Sequence, residues 1–269
     1  MTPETAGLLG LVQGVTEFLP ISSTGHLVLA RSVLELSGGH ALAFDAVLHL
    51  ATATAVVVYF RREVFRLVNT FVRYVGRMPV DQTELALLGA LLVGTVPAVI
   101  AGLLLEDLME TLFRTPLLVA GVLVAGSLFF IIAERQYRAT DRVRTVTIRT
   151  GLLVGLFQTL ALLPGFSRSG ATIAGGMLLG LSREDATRFG FLLAVPVLLG
   201  AGSKKVLELL GAGGEVPWTA VGVGALVAFL SGLVAIRFML RFLRTRTLWP
   251  FVWYRLALAA AVVLFVLVS

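Results

Sequence analysis

Residues 13–26 read Gln13-Gly-Val-Thr-Glu17-Phe-Leu-Pro20-Ile-Ser22-Ser23-Thr24-Gly25-His26. They interrupt an otherwise apolar segment. Residues 5–19 carry an apolar helix pattern that stops at Pro20, because proline disfavours helical backbone in the residue before it. After Ser22-Ser23-Thr24-Gly25 a second short helical pattern runs from about 26 to 36. Each half is roughly 20–22 Å long as helix, short of the ~30 Å of a bilayer core. The pair predicts a re-entrant hairpin: in, turn, and out on the same side. Polar, irregular backbone at membrane depth is tolerated only where protein or a water-filled cavity receives it.

The same pattern recurs. Residues 151–163 are apolar and stop at Pro164-Gly165; Ser167-Arg168-Ser169-Gly170 follows, and helical pattern resumes to about 181. At a constant offset of 145, Leu8, Gly10, Leu11, Gln13, Ser22 and Gly25 match Leu153, Gly155, Leu156, Gln158, Ser167 and Gly170. Six further stretches are long enough to span a membrane: about 43–60, 83–105, 117–133, 185–203, 218–240 and 250–268. The expected fold is an all-α polytopic membrane protein. It is one integral membrane domain over 1–269, with internal repeats at about 5–133 and 150–268, each a re-entrant helical hairpin plus three transmembrane helices. A hairpin does not change sides and three spans do, so the second copy is inverted relative to the first. Such repeats put their site near the midplane, where the copies meet.

Composition agrees. Of 269 residues, 57% are hydrophobic and 14% charged, against about 25% charged in globular chains. That excludes a soluble globule, disorder and collagen-like structure. With no cysteine, disulfides, thiolate catalysis and Cys-based metal sites are excluded. The net charge of +6 does not point to nucleic acid, since the arginines sit in short loops between apolar runs. The segment Met1 to Gly7 carries Glu4 and no basic run, so it makes a poor signal peptide.

Loop 61–82 (Arg61, Arg62, Arg66, Arg73, Arg77), loop 134–149 (Arg135, Arg138, Arg142, Arg144, Arg149) and segment 237–249 (Arg237, Arg241, Arg244, Arg246) are predicted cytoplasmic. Loop 106–116, with Glu106, Asp107 and Glu110 against Arg114, is predicted external, and Lys204-Lys205 votes the other way. The stretch 61–77 also reads as an amphipathic interfacial helix.

Two constellations carry chemistry. In the first hairpin Gln13 and Glu17 are four apart and share a helix face, as do Ser22 and His26. A carboxylate, an imidazole and hydroxyls at a helix break inside an apolar segment mark function, because ionisable groups at that depth are costly. Read structurally instead, Ser22 or Thr24 caps the second half-helix and His26 packs against a carbonyl. In the second hairpin, Gly165, Ser167, Arg168, Ser169, Gly170 and Thr172 lead into a helix N-terminus, whose free N–H groups attract anions. Arg168 adds a planar donor fork suited to phosphate oxygens; its structural alternative is a salt bridge to Glu17. Asp45 and His49, four apart, read as a relay or, structurally, as a mutually satisfied polar pair that fixes helix packing. His40 lies in a glycine-rich loop and is expected to do nothing chemical. Glu184 and Asp185 are expected to cap a helix, and Gly89, Gly94, Gly121 and Gly126 to allow close helix contact.

Together these parts suit phosphoryl chemistry on a lipid-tethered phosphate. Glu17 and Gln13 with substrate phosphates could hold Mg²⁺ or Ca²⁺ by oxygen ligands.

The stretches Gln13–His26 (QGVTEFLPISSTGH) and Pro164–Thr172 (PGFSRSGAT) resemble the two motifs of the undecaprenyl-diphosphate phosphatases of the bacitracin-resistance membrane family, and the resemblance extends over essentially the whole chain. It implies hydrolysis of undecaprenyl diphosphate to the monophosphate, recycling the lipid carrier for peptidoglycan synthesis. It further implies metal dependence, bacitracin tolerance on overproduction, and a site open to the outer face of a bacterial cytoplasmic (inner) membrane. Carried over by motif position, the family's histidine falls on His26, its serines on Ser22 and Ser23, its arginine on Arg168 and its threonine on Thr172. The family's first motif opens with Glu or Gln; here it is Gln13, leaving one carboxylate in place of two. The second repeat has Leu162 opposite Glu17 and Ala171 opposite His26, so the first hairpin supplies acid–base groups and the second a phosphate cradle.

The expected assignment follows. Ser22, Thr24, Gly25, Ser167, Ser169, Gly170, Thr172 and Arg168 hold the phosphates. Glu17 binds metal or acts as general base, His26 shuttles a proton, and Ser23 or a water is the nucleophile. The expected partners are the polyprenyl diphosphate and the bilayer; glycine-rich spans permit a homodimer without requiring one. A second function class fits the fold, a secondary transporter or flippase of a lipid-linked or anionic substrate. A carrier does not need Glu17 and His26 beside the anion site. A purely structural membrane scaffold leaves the paired polar hairpins unexplained.

Overall fold

The computed structural model describes residues 1–34, 41–111, 115–137, 145–211 and 217–268. His40, Arg114, Arg138, Arg142 and Arg144 lie outside the described residues, as do the side chains of Glu106, Asp107, Glu110 and Lys205. Among the described residues there is helix and no strand.

The first interrupted segment forms α1 (Pro3–Phe18) and α2 (Ser23–Val33). Thr2 caps α1, its side chain accepting from Thr5 N, and Pro3 opens the helix where its missing N–H costs nothing. Leu19 turns extended ahead of Pro20, with φ −73° and ψ 140°. The second segment repeats this as α7 (Ile148–Gln158), a 3-10 turn Thr159–Leu162, and α8 (Arg168–Leu178). Thr147 caps α7 as Thr2 caps α1.

Between and after these units run α3 (Ala41–Tyr59), α4 (Arg61–Val75), α5 (Gln82–Thr111), α6 (Pro116–Gln136), α9 (Arg183–Gly211), α10 (Trp218–Thr245) and α11 (Trp249–Val268). The chain is an all-helical polytopic membrane protein. Among the described residues, five helices are long and apolar enough to cross a membrane, or six if α3 and α4 are counted as one bent span. The expected stretch 43–60 falls on α3, which meets α4 at 84°. α4 is amphipathic: Phe65, Val68, Phe71 and Val75 are exposed beside its arginines.

Contacts between helices follow a reciprocal pattern. α1 packs on α10 and α7 on α5; α3 packs on α9 and α6 on α11. Glycine permits two close backbone approaches. A Cβ at Gly10 would lie 2.2 Å from Gly224 O, and one at Gly155, its partner at offset 145, 2.1 Å from Gly94 O. Gly94 and Gly126 thus serve close contact as expected, and a Cβ at Gly89 would sit 3.2 Å from Ile148. Gly121 corrects the expectation: a Cβ there would meet no atom within 4 Å.

Ion pairs tie the helix ends on the arginine-rich side. Arg183 of α9 donates to both carboxylate oxygens of Glu134, and Glu134 Oε1 also accepts from Leu248 N at 2.7 Å. Arg188 pairs with Glu63. Asp185 and Ser182 cap the start of α9 reciprocally, Asp185 N donating to Ser182 Oγ at 3.0 Å. Glu184 instead lies 3.6 Å from Arg244.

Candidate active site

The two helix breaks meet inside the bundle. Ser22 and Ser167 immediately precede α2 and α8, and both serines hold positive φ, 73° and 78°. Non-glycine residues reach that region only where their surroundings enforce it, and such strain gathers at functional sites. Each serine caps its helix in the same way. Ser22 Oγ accepts from Gly25 N at 3.3 Å, and Ser167 Oγ from Gly170 N at 3.2 Å.

A cavity of about 160 Å³ opens between the breaks. The first hairpin lines it with Glu17, Ser22, Ser23 and Thr24, the second with Gln158, Pro164, Gly165, Ser167 and Arg168. His49 enters from α3, and Ala98, Val197 and Leu198 form an apolar wall.

Glu17 is the hub. It is 5% exposed. Its Oε1 accepts from Arg168 Nη2 at 2.7 Å. Its Oε2 accepts from Ser23 Oγ at 2.7 Å and from Gln13 Nε2 at 2.9 Å. The bond from Gln13 is the shared helix face expected from their spacing. The salt bridge from Arg168 to Glu17, offered above as a structural alternative, is present, and it sits inside the cavity with the other groups. Charge-assisted hydrogen bonds of this kind are the strong ones.

Asp45 and His49 do not pair, which corrects the expectation from their spacing. Arg31 captures Asp45 with two bonds of 2.5 Å, a fork that one imidazole N–H cannot match. His49 turns inward instead: its Nδ1 is 2.9 Å from Gln13 Nε2 and 3.4 Å from Glu17 Oε2.

The remaining expected residues divide. Ser169 Oγ donates to Leu19 O at 3.1 Å, fastening the second break to the first. Thr172 donates back along its own helix, to Arg168 O at 3.0 Å, and Gly170 lies tight against Phe130. These residues and Gly25 shape the cradle without lining it. His26 stands apart. Its Nδ1 is 2.7 Å from Ser22 O and its Nε2 2.7 Å from Tyr254 Oη, with the two rings stacked. The structure does not bring it to the cavity.

Sequence reasoning missed Arg255. It is fully buried and reaches both breaks from α11. Its Nη1 donates to Pro20 O at 3.2 Å and Phe166 O at 2.9 Å, and its Nη2 to Gly165 O at 3.0 Å and Leu123 O at 3.2 Å. Gly126 leaves the passage: a Cβ there would lie 2.1 Å from Arg255 Nη2. An arginine inside the apolar run 250–268 was itself the available signal.

The groups that touch Glu17 are nitrogens of Arg168, Gln13 and His49 and the hydroxyl of Ser23. Gln13 Oε1 is buried with no hydrogen-bond partner among the described residues. Among those residues there is no cluster of three or more His, Cys, Asp or Glu that could hold a metal. The Glu17 carboxylate and the unpartnered Gln13 Oε1 are oxygen ligands of the type a hard cation takes.

This arrangement can bind an anion and hold a hydroxyl against a carboxylate, parts of a phosphoryl-transfer site. Comparison with known proteins agrees. Residues 6–261 match the family model described as bacitracin resistance protein BacA, and the chain belongs to that family. It is similar to the undecaprenyl-diphosphatase of Myxococcus xanthus, 44% identical over 252 residues that cover 93% of this chain and 84% of that one. The undecaprenyl-diphosphatase of Trichlorobacter lovleyi is 45% identical, covering 94% and 93%. That of Rubrobacter xylanophilus is 43% identical, covering 96% of each.

Proposed function

We propose that this chain is an undecaprenyl-diphosphatase, an enzyme that hydrolyses undecaprenyl diphosphate to undecaprenyl phosphate and phosphate. One observation carries the reading at the level of the site: Ser23, hydrogen-bonded to Glu17, shares a cavity with Arg168. A transporter does not call for a hydroxyl held on a carboxylate, and the relatives' names favour the enzyme.

The diphosphate lies between the breaks, and the prenyl chain runs out among the lipid-facing helices. Arg168, Ser22, Ser167 and the N–H groups opening α2 and α8 hold the phosphate oxygens. The short bond from Ser23 Oγ to Glu17 Oε2 favours Ser23 as nucleophile. Ser23 Oγ attacks the terminal phosphorus and gives its proton to Glu17. The bond from that phosphorus to the bridging oxygen breaks, and undecaprenyl phosphate leaves with the proton that Glu17 had taken. Water then attacks the phosphoserine and gives a proton to Glu17, which returns it to Ser23 Oγ as that bond to phosphorus breaks and free phosphate is released. Glu17 and Gln13 would hold Mg²⁺ or Ca²⁺, which when bound neutralises phosphate charge. His26 can deliver a proton to the leaving oxygen only if its ring leaves Tyr254.

The chain is one membrane domain of two inverted repeats, about 5–133 and 150–268. The reciprocal packing supports this: α1 lies on α10 near its start, α7 on α5 near its start. The end of α10, through Arg244 and Glu184, and the start of α5, through Glu84 and Arg66, both lie among the arginine-bearing helix ends, which supports hairpins that re-enter from opposite faces. The arginine-bearing ends face the cytoplasm of a bacterium, and the site opens to the outer side of the inner membrane.

The test is phosphate release from undecaprenyl diphosphate by purified protein in detergent, with and without chelator. Chelator-sensitive release is expected. Release that ignores chelator would remove the metal from the account.

A further inference from the structure

Gln158 ends α7, one turn before the second break. It is 2% exposed and lines the same cavity as Glu17, Ser23 and Arg168. Neither its Nε2 nor its Oε1 has a hydrogen-bond partner among the described residues. A buried amide left unmatched costs stability, and an apolar group of the same shape would not carry that cost.

Its repeat partner shows what is missing. Gln13, at offset 145, is held by Glu17 and His49. Four residues beyond Gln158 stands Leu162 in place of a carboxylate, so nothing on its own helix can satisfy it. Arg168 Nε, on the same wall, is also buried and unpartnered. Two donors from the second hairpin thus face one cavity without acceptors. An acceptor-only, oxygen-rich group is their complement.

We infer that Gln158 is a substrate-binding residue whose Nε2 donates to a diphosphate oxygen beside Arg168. This rests on the diphosphate reading above. The residue is kept at the expense of the ligand-free protein's stability, a trade common at functional sites.

The test uses the full chain in detergent with farnesyl diphosphate as probe, comparing wild type with Gln158→Met, similar in length and unable to donate. Thermal unfolding is followed with and without probe, and phosphate release gives KM and kcat. The ligand-free Tm of Gln158→Met should equal or exceed that of wild type. Its KM should rise roughly 10- to 100-fold, the worth of one hydrogen bond to a charged group. The probe-induced rise in Tm should shrink accordingly. Gln158→Glu, which places a negative charge against the phosphate, should lose more than Gln158→Met.

An unchanged KM in Gln158→Met, or a lowered ligand-free Tm with unchanged KM, would make Gln158 structural and overturn the inference. If wild type gains Tm with the probe but releases no phosphate, the hydrolase reading fails by itself. The inference about Gln158 is then upheld if Gln158→Met loses that gain and overturned if it keeps it.

Discussion

Glu17 and Arg168 stand 151 residues apart in the chain and meet at 2.7 Å. The contact joins the end of α1 to the start of α8, and so joins the two helix breaks. Glu17 also holds Ser23, so one carboxylate links the candidate nucleophile to the candidate phosphate ligand. Arg168→Ala is expected to remove most activity, and to leave Glu17 a buried carboxylate short of its strongest donor. In a double-mutant cycle with Glu17→Gln, phosphate-release rates should be far from additive, because the two residues share one network. Additive losses would mean that they act separately.

Ser23→Ala should lower turnover by about 100-fold or more while leaving the fold intact, since one hydrogen bond is lost and Glu17 keeps those from Gln13 and Arg168. Mass spectrometry of acid-quenched wild type should find phosphate on the peptide that contains Ser23. Near-normal turnover in Ser23→Ala would hand the attack to water.

Arg255 holds carbonyls of both breaks in place without touching the cavity. Arg255→Met leaves those carbonyls buried and unmatched, each at a cost of about 1–3 kcal/mol. A fall in Tm of at least about 5 °C is expected. Gly126→Ala should act in the same direction, because its methyl group would occupy the guanidinium's path. Unchanged unfolding in both variants would show that the breaks hold themselves.

Gly155→Ala sets a methyl group 2.1 Å from Gly94 O, and forced overpacking costs roughly 1–3 kcal/mol. Gly121→Ala meets nothing within 4 Å and should be neutral or mildly stabilising, since alanine is the better helix former. Thermal unfolding of the two variants compares the close approach with the open one.

Much of the frame was legible in the sequence. The breaks at Pro20 and Pro164 are local events, and the offset of 145 announced that Ser22 and Ser167 play one role. The structure gives those serines matching φ and matching caps. Partners across helices were less legible. Asp45 and His49 share a helix face, but Arg31 from α2 out-competes the imidazole for Asp45, and His49 joins Glu17. Spacing records neighbours within a helix; it does not record which helix packs alongside. Arg255 was hidden for the same reason, lying 235 residues from Pro20. His26 carries the family's motif, yet its ring folds back on Ser22 O and stacks on Tyr254, a contact that only the docking of α11 determines.

The most direct measurement is phosphate release from undecaprenyl diphosphate by wild type beside Glu17→Gln, both purified in detergent and shown to be folded. The account predicts steady release by wild type and a loss of at least about 100-fold in the variant, as befits a group that takes the proton. A folded wild type that binds the lipid and releases no phosphate, or a variant that releases it normally, would contradict the account.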